Sequence, residues 1–418
     1  MTADLVLKNV TLPTGRRADI VITDGLIRHV GAPVRADETI DCSRFTCLPG
    51  AIDMHVHMRG GGAQAEKEDW RTGTMSAVAG GVTVVVDQPN TIPPLTTPEL
   101  LRTRIREAEE HAVCGFAVNA GVMPGADLEG MWSAGAMAFG EIFAAPSSYG
   151  EGLDPGTLRE MFVRIHALGG LATIHAEEVS GSDATTLIGH DNARSGAGEA
   201  RAVRAVSALA PKGLRLHFCH MSTAASIEAA RGTVEVTPHH LFLSHEIFAD
   251  DDARARMNPP LRDEETRRAL WSCWERIDII ASDHAPHTPG EKALPFQAAP
   301  SGVPGVETMV PLLMAAVMKR RITLASVMEK TSWRPAAILG IPRAGFEPGD
   351  RADFALYPDE VTRIDASRLH SKCGWSPFEG LDAVFPEEVI VRGRRLYSCG
   401  EYHEPQPAWY PGRGFLLL

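Results

Sequence analysis

Apolar and polar residues alternate along the first fifty residues, in segments such as ADIVITDG and LIRHVGA. Alternation at every second position predicts strands that bury one face, and the Gly and Pro residues between the segments predict turns. The same pattern returns after Pro348, in ADFALYP and EEVIVRGRRLYS. We therefore predict that residues 1–49 and 346–418 pair into one small β module.

Between these ends the chain changes to short, continuously apolar segments, most of them followed by a helical stretch. The eight segments are AIDMHVH, VTVVVDQPN, GFAVNAGV, AMAFGEIF, LATIHAEE, LRLHFCHMS, VEVTPHHL and IDIIASDHA. Apolar strands that alternate with helices predict a parallel sheet covered on both faces. Eight such units predict an α/β fold with a (β/α)8 TIM barrel over residues 50–345. An open, doubly wound sheet is the alternative.

Composition and charge narrow the classes of partner. The 418-residue chain has a net charge of -12, so it has no basic surplus to neutralise the phosphates of a nucleic acid or of an anionic membrane. Its seven cysteines, spread from Cys42 to Cys399, match neither a disulfide framework nor a paired CxxC metal site. We expect reduced thiols, a cytoplasmic protein and no signal peptide or transmembrane span.

Polar side chains gather where the predicted barrel strands end. His55 and His57 close the first strand, Asn90 follows the second, Glu141 lies in the fourth, His175 and His220 close the fifth and sixth, and Asp283 closes the eighth. Because the carboxyl ends of barrel strands meet at one mouth, we expect these residues to converge. A single HxH pair is more often structural, but the whole set predicts a metal site. Imidazole and carboxylate ligands without thiolate suit Zn²⁺, with Mn²⁺ or Co²⁺ as substitutes.

Other residues near this mouth have less specific interpretations. His217, three residues before His220, falls on the opposite face of a regular strand and is predicted to pack against or support the site. His239 and His240 are predicted to lie outside the ligands, and Cys219 is predicted to pack. The remaining histidines carry no motif and are predicted to be surface or capping residues: His29, His111, His166, His190, His245, His370 and His403.

Longer motifs carry a resemblance that covers nearly the whole chain. They are GAIDMHVHMR, DQPNTIPP, IHAEE, LHFCHMST, TPHHL, MNPPLR, ASDHAPH, PSGVPGVET and SPFEG. In these segments the chain resembles the cyclic amidohydrolases of the amidohydrolase superfamily, and among them the dihydroorotase family. The resemblance implies a barrel with a β-sandwich built from both termini, in agreement with the periodicity.

The resemblance also implies a metal-ligand set. His55, His57 and Asp283 would hold one ion and His175 and His220 a second, with a carboxylate and a hydroxide bridging the two. Asp283 would serve both as ligand and as general acid and base, because a carboxylate beside the attacking water can take its proton and pass it to the departing nitrogen.

A substrate pocket is implied in the same way. Arg59 and Asn90 would clamp a substrate carboxylate, and Asn258 and His287 would complete the pocket. The implied activity interconverts N-carbamoyl-L-aspartate and (S)-dihydroorotate in de novo pyrimidine synthesis. Arg59 favours this substrate, because a guanidinium binds a carboxylate bidentately and hydantoins and dihydropyrimidines need not carry one.

Two other functions are kept as alternatives. One is an allantoinase, hydantoinase or dihydropyrimidinase. The other is a non-catalytic subunit that partners aspartate transcarbamoylase, with which some members of the family associate; the retained histidines and Asp283 argue against it. Apart from the small-molecule substrate, the partners that these interpretations allow are further copies of the chain and aspartate transcarbamoylase.

The chain departs from the family pattern at two places. The usual FRDPG is replaced by MRGGG at residues 58–62, so an acid and a proline are missing. Many relatives bridge their metals with a carbamylated lysine, but no lysine occurs between Lys67 and Lys212 and strand four offers Glu141. A glutamate is about 3 to 4 Å shorter than a lysine carbamate. We predict one or two Zn²⁺ ions per chain, with Glu141 as the bridging ligand; the alternative is that Glu141 makes a hydrogen bond or salt bridge near the mouth. The loop 286–305, rich in Pro and Gly, is a candidate lid.

Overall fold

The structure is a computed structural model that describes residues 3–31, 34–145, 152–181 and 184–415. Its N-terminal strands are β1 (Ala3–Thr11), β2 (Arg17–Thr23), β3 (Leu26–Gly31), β4 (Ala36–Asp41) and β5 (Phe45–Pro49). The first four form a sheet in the order β3-β2-β1-β4, in which β1 runs antiparallel to β2 and parallel to β4. The alternating segments at the N-terminus are therefore strands, as predicted.

Eight parallel strands follow, and they form the barrel. They are β6 (Ala51–Val56), β7 (Val82–Asp87), β8 (Gly115–Val118), β9 (Phe139–Phe143), β10 (Leu171–His175), β11 (Arg215–Phe218), β12 (Thr233–Val236) and β13 (Ile279–Ile280). Hydrogen-bonded ladders join β6 to β8 and β9 to β13, and parallel bridges at Ala120–Phe139 and Val56–His284 close the ring. Every residue of β6 and β7 is buried, as expected for strands covered on both faces. The predicted (β/α)8 barrel is confirmed.

Helices cover the barrel. They are α1 (Trp70–Ala79), α2 (Pro98–His111), α3 (Leu128–Ser133), α4 (Pro155–Leu168), α5 (Leu187–Ala193), α6 (Gly196–Leu209), α7 (Ala224–Ala229), α8 (Pro238–Phe242), α9 (Glu264–Ser272), α10 (Pro289–Lys292), α11 (Met309–Met318), α12 (Leu324–Met328) and α13 (Arg334–Leu339). Helix α2 shows how the sequence specifies them: Thr97 caps its first turn, Pro98 opens it, and Leu101, Ile105 and Ala108 form its buried stripe. Within the described ranges, every helix is too short or too polar to cross a lipid bilayer.

The C-terminal strands return to the N-terminal ones. They are β14 (Phe354–Pro358), β15 (Thr362–Arg363), β16 (Asp382–Ala383), β17 (Glu388–Val391), β18 (Arg394–Ser398), β19 (Glu401–Tyr402) and β20 (Ala408–Trp409). β5 from the N-terminus pairs antiparallel with β14, and both belong to the sheet β19-β18-β17-β14-β5. The β-sandwich built from both ends is therefore confirmed.

One short strand of the tail leaves this module. β20 pairs in parallel with β8 of the barrel, so that Ala408 lies opposite Gly115. The C-terminal tail thus adds a strand to the barrel sheet beyond the β-sandwich. The boundaries 1–49 with 346–418 and 50–345 stay a prediction.

Candidate metal centre

The six predicted ligands converge at the carboxyl ends of the barrel strands. On one side, His57 Nε2 lies 3.1 Å and His55 Nε2 lies 3.5 Å from Asp283 Oδ1. Ligand atoms of His55, His57 and Asp283 all lie within 4.8 Å of one another, and all three residues are buried. Strands β6 and β13 thus bring together residues more than two hundred positions apart.

Glu141 lies beside His175 and His220 and also faces His55. Its Oε1 lies 2.7 Å from His220 Nε2 and 3.0 Å from His175 Nδ1, while its Oε2 lies 3.6 Å from His55 Nε2. The carboxylate therefore lies between the two groups of histidines, where a bridging ligand would lie. The six residues, which we call the cluster, are His55, His57, Glu141, His175, His220 and Asp283.

Backbone geometry around the cluster is unusual. Arg59, His220 and Asp283 adopt left-handed conformations with φ of 49°, 37° and 47°, a region that costs energy for residues other than glycine and often marks functional sites. Gly140, just before Glu141, has φ of 127°, and a Cβ there would lie 2.2 Å from the carbonyl oxygen of Thr173. Only glycine fits at this position.

Two carboxylates behind the cluster orient its histidines. Glu235 Oε1 lies 2.9 Å from His55 Nδ1 and accepts a hydrogen bond from the His220 backbone N–H at 3.0 Å. Its other oxygen lies 3.2 Å from His217 Nε2, so His217 supports the site as predicted. Glu177 Oε2 lies 2.7 Å from His175 Nε2. Carboxylate partners of this kind fix the tautomer and orientation of ligand histidines.

The two supporting carboxylates were absent from the predicted site. Glu235 is a lone acid inside an apolar strand, and Glu177 lies two residues after His175, on the same side of an extended segment. An acid in an otherwise buried strand was the available signal, because burying a charge requires a partner.

The carboxylates shift the pKa values of two of these histidines, His55 and His175, upward. Burial alone would lower the pKa of His55, but the charges of Glu235 and Asp283 outweigh it and raise that pKa well above its usual value. Burial is likewise outweighed at His175, where Glu141 and Glu177 raise the pKa to about 9. The cluster therefore has an excess of negative charge that a cation would balance.

The residues fit a divalent metal ion. Four imidazoles and two carboxylates are the ligand types of zinc and related ions. In the part of the chain that the structure describes, His55 Nε2 and His220 Nδ1 are buried and have no hydrogen-bond partner. Buried polar atoms without partners are rare, and at His55 a bound ion would supply the missing contact.

Three residues that neighbour the cluster have environments different from those of its six residues: His239, His240 and Cys219. His240 lies 2.9 Å from Thr237 Oγ1 and 3.1 Å from the Pro259 carbonyl oxygen, so it is buried away from the ligand set as predicted. His239 is also buried. Cys219 is buried beside His55 and Glu235, and burial raises the pKa of its thiol.

A second group of residues adjoins the cluster. We call it the pocket, and its residues are Arg59, His190, Asn258 and His287. Arg59 Nη2 lies 3.3 Å from His287 Nε2, and Arg59 Nε donates to the Pro286 carbonyl oxygen at 3.3 Å. Asn258 Oδ1 lies 2.9 Å from His190 Nε2 and accepts from the Ser301 hydroxyl at 3.3 Å. His287 Nε2 also lies 3.1 Å from the Ser301 carbonyl oxygen, so Ser301 links Asn258 to the pair formed by Arg59 and His287.

Asn90, also predicted for the pocket, contacts the cluster directly. Its Oδ1 lies 2.7 Å from His57 Nδ1. The amide oxygen accepts a hydrogen bond when His57 carries its proton on Nδ1, which leaves Nε2 of the same ring free to face Asp283. Asn90 is therefore bonded to a cluster residue, and its amide nitrogen is the group left to act as a donor.

Cations surround the pocket histidines. Burial and the charges of Arg59 and Lys67 lower the pKa of His287, and Lys67 Nζ lies 3.4 Å from its Nδ1. Burial and Arg194 lower the pKa of His190 to about 4. The prediction that His190 is a surface or capping residue is wrong, since it is 5% exposed and contacts Asn258.

The departure at residues 58–62 also has a structural basis. Gly60, Gly61 and Gly62 adopt left-handed conformations with φ of 56°, 59° and 69°. Glycine adopts this region without the penalty that other residues incur. Together with Arg59, they form a run of four consecutive left-handed residues that turns the chain here.

Comparison with known proteins agrees with this architecture. Residues 46–395 match the amidohydrolase family. The dihydroorotase of Methanosarcina acetivorans is 40% identical, over 96% of this chain and 92% of the relative, and that of Halobacterium salinarum is 38% identical, over 94% and 96%. Among solved structures, the L-hydantoinase (dihydropyrimidinase) of Arthrobacter aurescens superimposes with a TM-score of 0.91 at 26% identity, covering 99% of this chain and all of that one.

Proposed function

This chain belongs to the amidohydrolase family, and we propose that it is a metal-dependent dihydroorotase that interconverts N-carbamoyl-L-aspartate and (S)-dihydroorotate in pyrimidine synthesis. Its curated relatives carry the dihydroorotase name at up to 40% identity over nearly the full length. The observation that carries the proposal is the position of Arg59, two residues after His57 and 3.3 Å from His287. A guanidinium beside the candidate metal centre, able to bind a carboxylate, supports the proposal.

The cluster would hold one or two Zn²⁺ ions. His55, His57 and Asp283 would hold the first, and His175 and His220 the second, with Glu141 between them. When bound, such an ion supplies Lewis-acid activation of water and of the amide carbonyl oxygen.

Asp283 would move the proton in the reaction. In the hydrolytic direction water adds to the carbonyl carbon, the ring C–N bond breaks, and Asp283 transfers the proton taken from water to the departing nitrogen. The reverse sequence closes the ring and releases water. His57 and Asp283, whose Nε2 and Oδ1 atoms lie 3.1 Å apart, would hold the same ion.

The pocket would bind the carboxylate of the substrate. Arg59 can bind it bidentately, and Asn90 can donate through its amide nitrogen while its oxygen stays with His57. His287 would be neutral, because burial and the neighbouring cations lower its pKa. A neutral imidazole can donate one hydrogen bond and accept another, as recognition of a cyclic ureide requires.

Cellular context is proposed on the same basis. All seven cysteines are unpaired, which suits a reducing cytoplasm. Self-association, or association with aspartate transcarbamoylase, is the partner hypothesis, and light scattering of the protein alone and mixed with aspartate transcarbamoylase tests it.

Substrate profiling tests the function. Purified, metal-loaded protein is incubated separately with dihydroorotate, dihydrouracil, hydantoin and allantoin, and loss of each ring is followed. We expect turnover of dihydroorotate at a kcat/KM at least a hundredfold above the others, the size of about two lost charge-assisted hydrogen bonds. Hydrolysis of hydantoin or allantoin without turnover of dihydroorotate would overturn the proposal, and inactivity towards all four would favour the non-catalytic alternative.

A further inference from the structure

Two loops at the barrel mouth carry the facing residues of the pocket. The loop after β6, residues 57–69, carries Arg59, and the loop after β13, residues 281–308, carries His287. The two side chains approach to 3.3 Å. Their spacing therefore depends on how two loops from opposite ends of the barrel sequence are held together.

A segment of the C-terminal region contacts the first loop. We call residues 370–375 the strap. Lys372 Nζ donates to the Ala65 carbonyl oxygen at 2.8 Å and to Asp69 Oδ2 at 2.6 Å. The Ser371 hydroxyl donates to Glu68, which is fully buried.

Glu68 connects the strap to the backbone beside Arg59. Its carbonyl oxygen accepts from the Gly60 N–H at 3.0 Å, and Gly60 directly follows Arg59. Its carboxylate also lies 3.4 Å from His284 Nε2, in the second loop. Because residues 60–62 are all left-handed glycines, the Glu68 contacts are an important restraint on this turn.

The strap also contacts the second loop. The Trp375 indole N–H donates to the carbonyl oxygen of His287 at 2.8 Å. His370 contacts Glu307 through both its backbone N–H and its ring Nδ1, each at 2.8 Å. One six-residue segment is therefore bonded to the backbone of a pocket residue in one loop and to the turn beside a pocket residue in the other.

We propose that the strap sets the spacing between Arg59 and His287, and that Trp375 is a positioning residue for binding of the substrate carboxylate. The proposal rests on the proposed function for the identity of the substrate. Trp375 touches the His287 backbone and acts through it. A clamp misplaced by a fraction of an ångström loses hydrogen-bond geometry, so the effect falls on substrate binding, while the cluster that performs the chemistry is unchanged.

The test compares two tryptophan variants. Trp375→Phe removes the N–H that reaches His287 and keeps an aromatic ring. Trp333→Phe is the matched control, because the Trp333 indole is also partly buried and donates to a backbone carbonyl, that of Ala344 at 3.0 Å, outside the strap and both loops. Ser371→Ala is a second test variant, at the other end of the strap.

Two measurements are made on the metal-loaded, full-length proteins: steady-state kinetics with dihydroorotate, and amide hydrogen exchange of residues 57–69 and 281–308. We expect Trp375→Phe to raise KM roughly three- to tenfold, the size of one lost hydrogen bond, with kcat within twofold of the parent. Exchange should accelerate in both loops for Trp375→Phe and Ser371→Ala, and in neither for Trp333→Phe.

The two readouts separate this proposal from the proposed function. If the parent does not turn over dihydroorotate, the proposed function fails, and hydrogen exchange alone decides whether the strap restrains the loops. Unchanged exchange in both strap variants would overturn the proposal. So would a fall in kcat with KM unchanged, or an equal rise in KM in Trp375→Phe and Trp333→Phe.

Discussion

Histidines on the two sides of the barrel mouth respond to their surroundings in opposite directions. In the cluster, carboxylates outweigh burial and raise the pKa of His175 to about 9. In the pocket, burial and Arg194 lower the pKa of His190 to about 4, and burial with Arg59 lowers that of His287. One region has an excess of negative charge and suits cations; the other has neutral rings among cations and suits an anion.

This difference in charge explains how one barrel mouth can bind a metal ion and a carboxylate at separate places. Both regions are buried, so the Coulomb interactions within them are only weakly screened. Substrate would lie across the boundary, with its amide towards the cluster and its carboxylate towards the pocket. Asn90, in contact with His57, would lie on this boundary.

The largest effect is expected from Asp283→Asn, which removes the proposed proton carrier of the cluster. An amide cannot accept the proton from water, so kcat for dihydroorotate should fall about a thousandfold, within the usual range for general acid and base groups. Steady-state kinetics measures this, with metal content by atomic absorption as the control. If a variant with full metal content keeps more than a tenth of parental kcat, Asp283 is not the proton carrier.

The pocket offers a test through pH. His190 has a folded-state pKa of about 4, below the ordinary 6.5, so between these values the unfolded chain binds the extra proton. The contribution of His190 to the free energy of unfolding, about 3 kcal/mol, is therefore fully present above pH 6.5 and is lost as the pH falls towards 4. Urea unfolding at several pH values measures this. Between pH 6.5 and 4, the free energy of unfolding of His190→Gln should fall by about 3 kcal/mol less than that of the parent. The control is His111→Gln, which changes an exposed histidine on α2. If the free energy of unfolding of His190→Gln depends on pH in the same way as that of the parent, His190 is not a neutral, buried histidine.

The convergence of the six cluster residues was the most predictable part of the candidate site. A barrel brings its strand ends to one mouth, so His55, His175 and Asp283 could be assigned from their position in the strands alone. Glu141 was predicted as a bridging carboxylate, and the structure places it within 3.6 Å of His55, His175 and His220. A regular strand fixes the direction in which each of its side chains points. The position of a residue in its strand therefore predicts where its side chain lies.

Residues outside the strands were harder to place. The position of His190 depends on where α5 packs, and the contacts of the strap depend on a loop returning from the far end of the chain; neither has a periodic pattern. The pairing of β20 with β8 involves only two residues of a Pro-rich tail. Such contacts arise from tertiary packing, which short-range sequence patterns do not encode.

Glu141→Gln sharpens the comparison from the cluster side. Removing the carboxylate charge between the histidines should weaken binding of the second ion by at least ten- to a hundredfold, the range seen when a hydrogen-bond partner of a metal ligand is changed. Metal titration monitored by calorimetry measures stoichiometry and affinity. Glu178→Gln, at a partly exposed carboxylate that pairs with Arg201, is the matched control. Two ions bound with parental affinity would show that Glu141 does not bridge.

Arg59→Lys tests the pocket with the smallest expected effect, because it keeps the positive charge. Lysine cannot reproduce the planar, two-pronged contact of a guanidinium with a carboxylate, so KM for dihydroorotate should rise about tenfold, equivalent to one charge-assisted hydrogen bond of about 1.4 kcal/mol. Metal affinity of the cluster should stay at the parental value, and Arg201→Lys, which alters an exposed ion pair with Glu178, should change neither quantity. A matching loss of metal affinity in Arg59→Lys would mean that the cationic and anionic regions are not separate, because the pocket cation would then be contributing to the field at the metal.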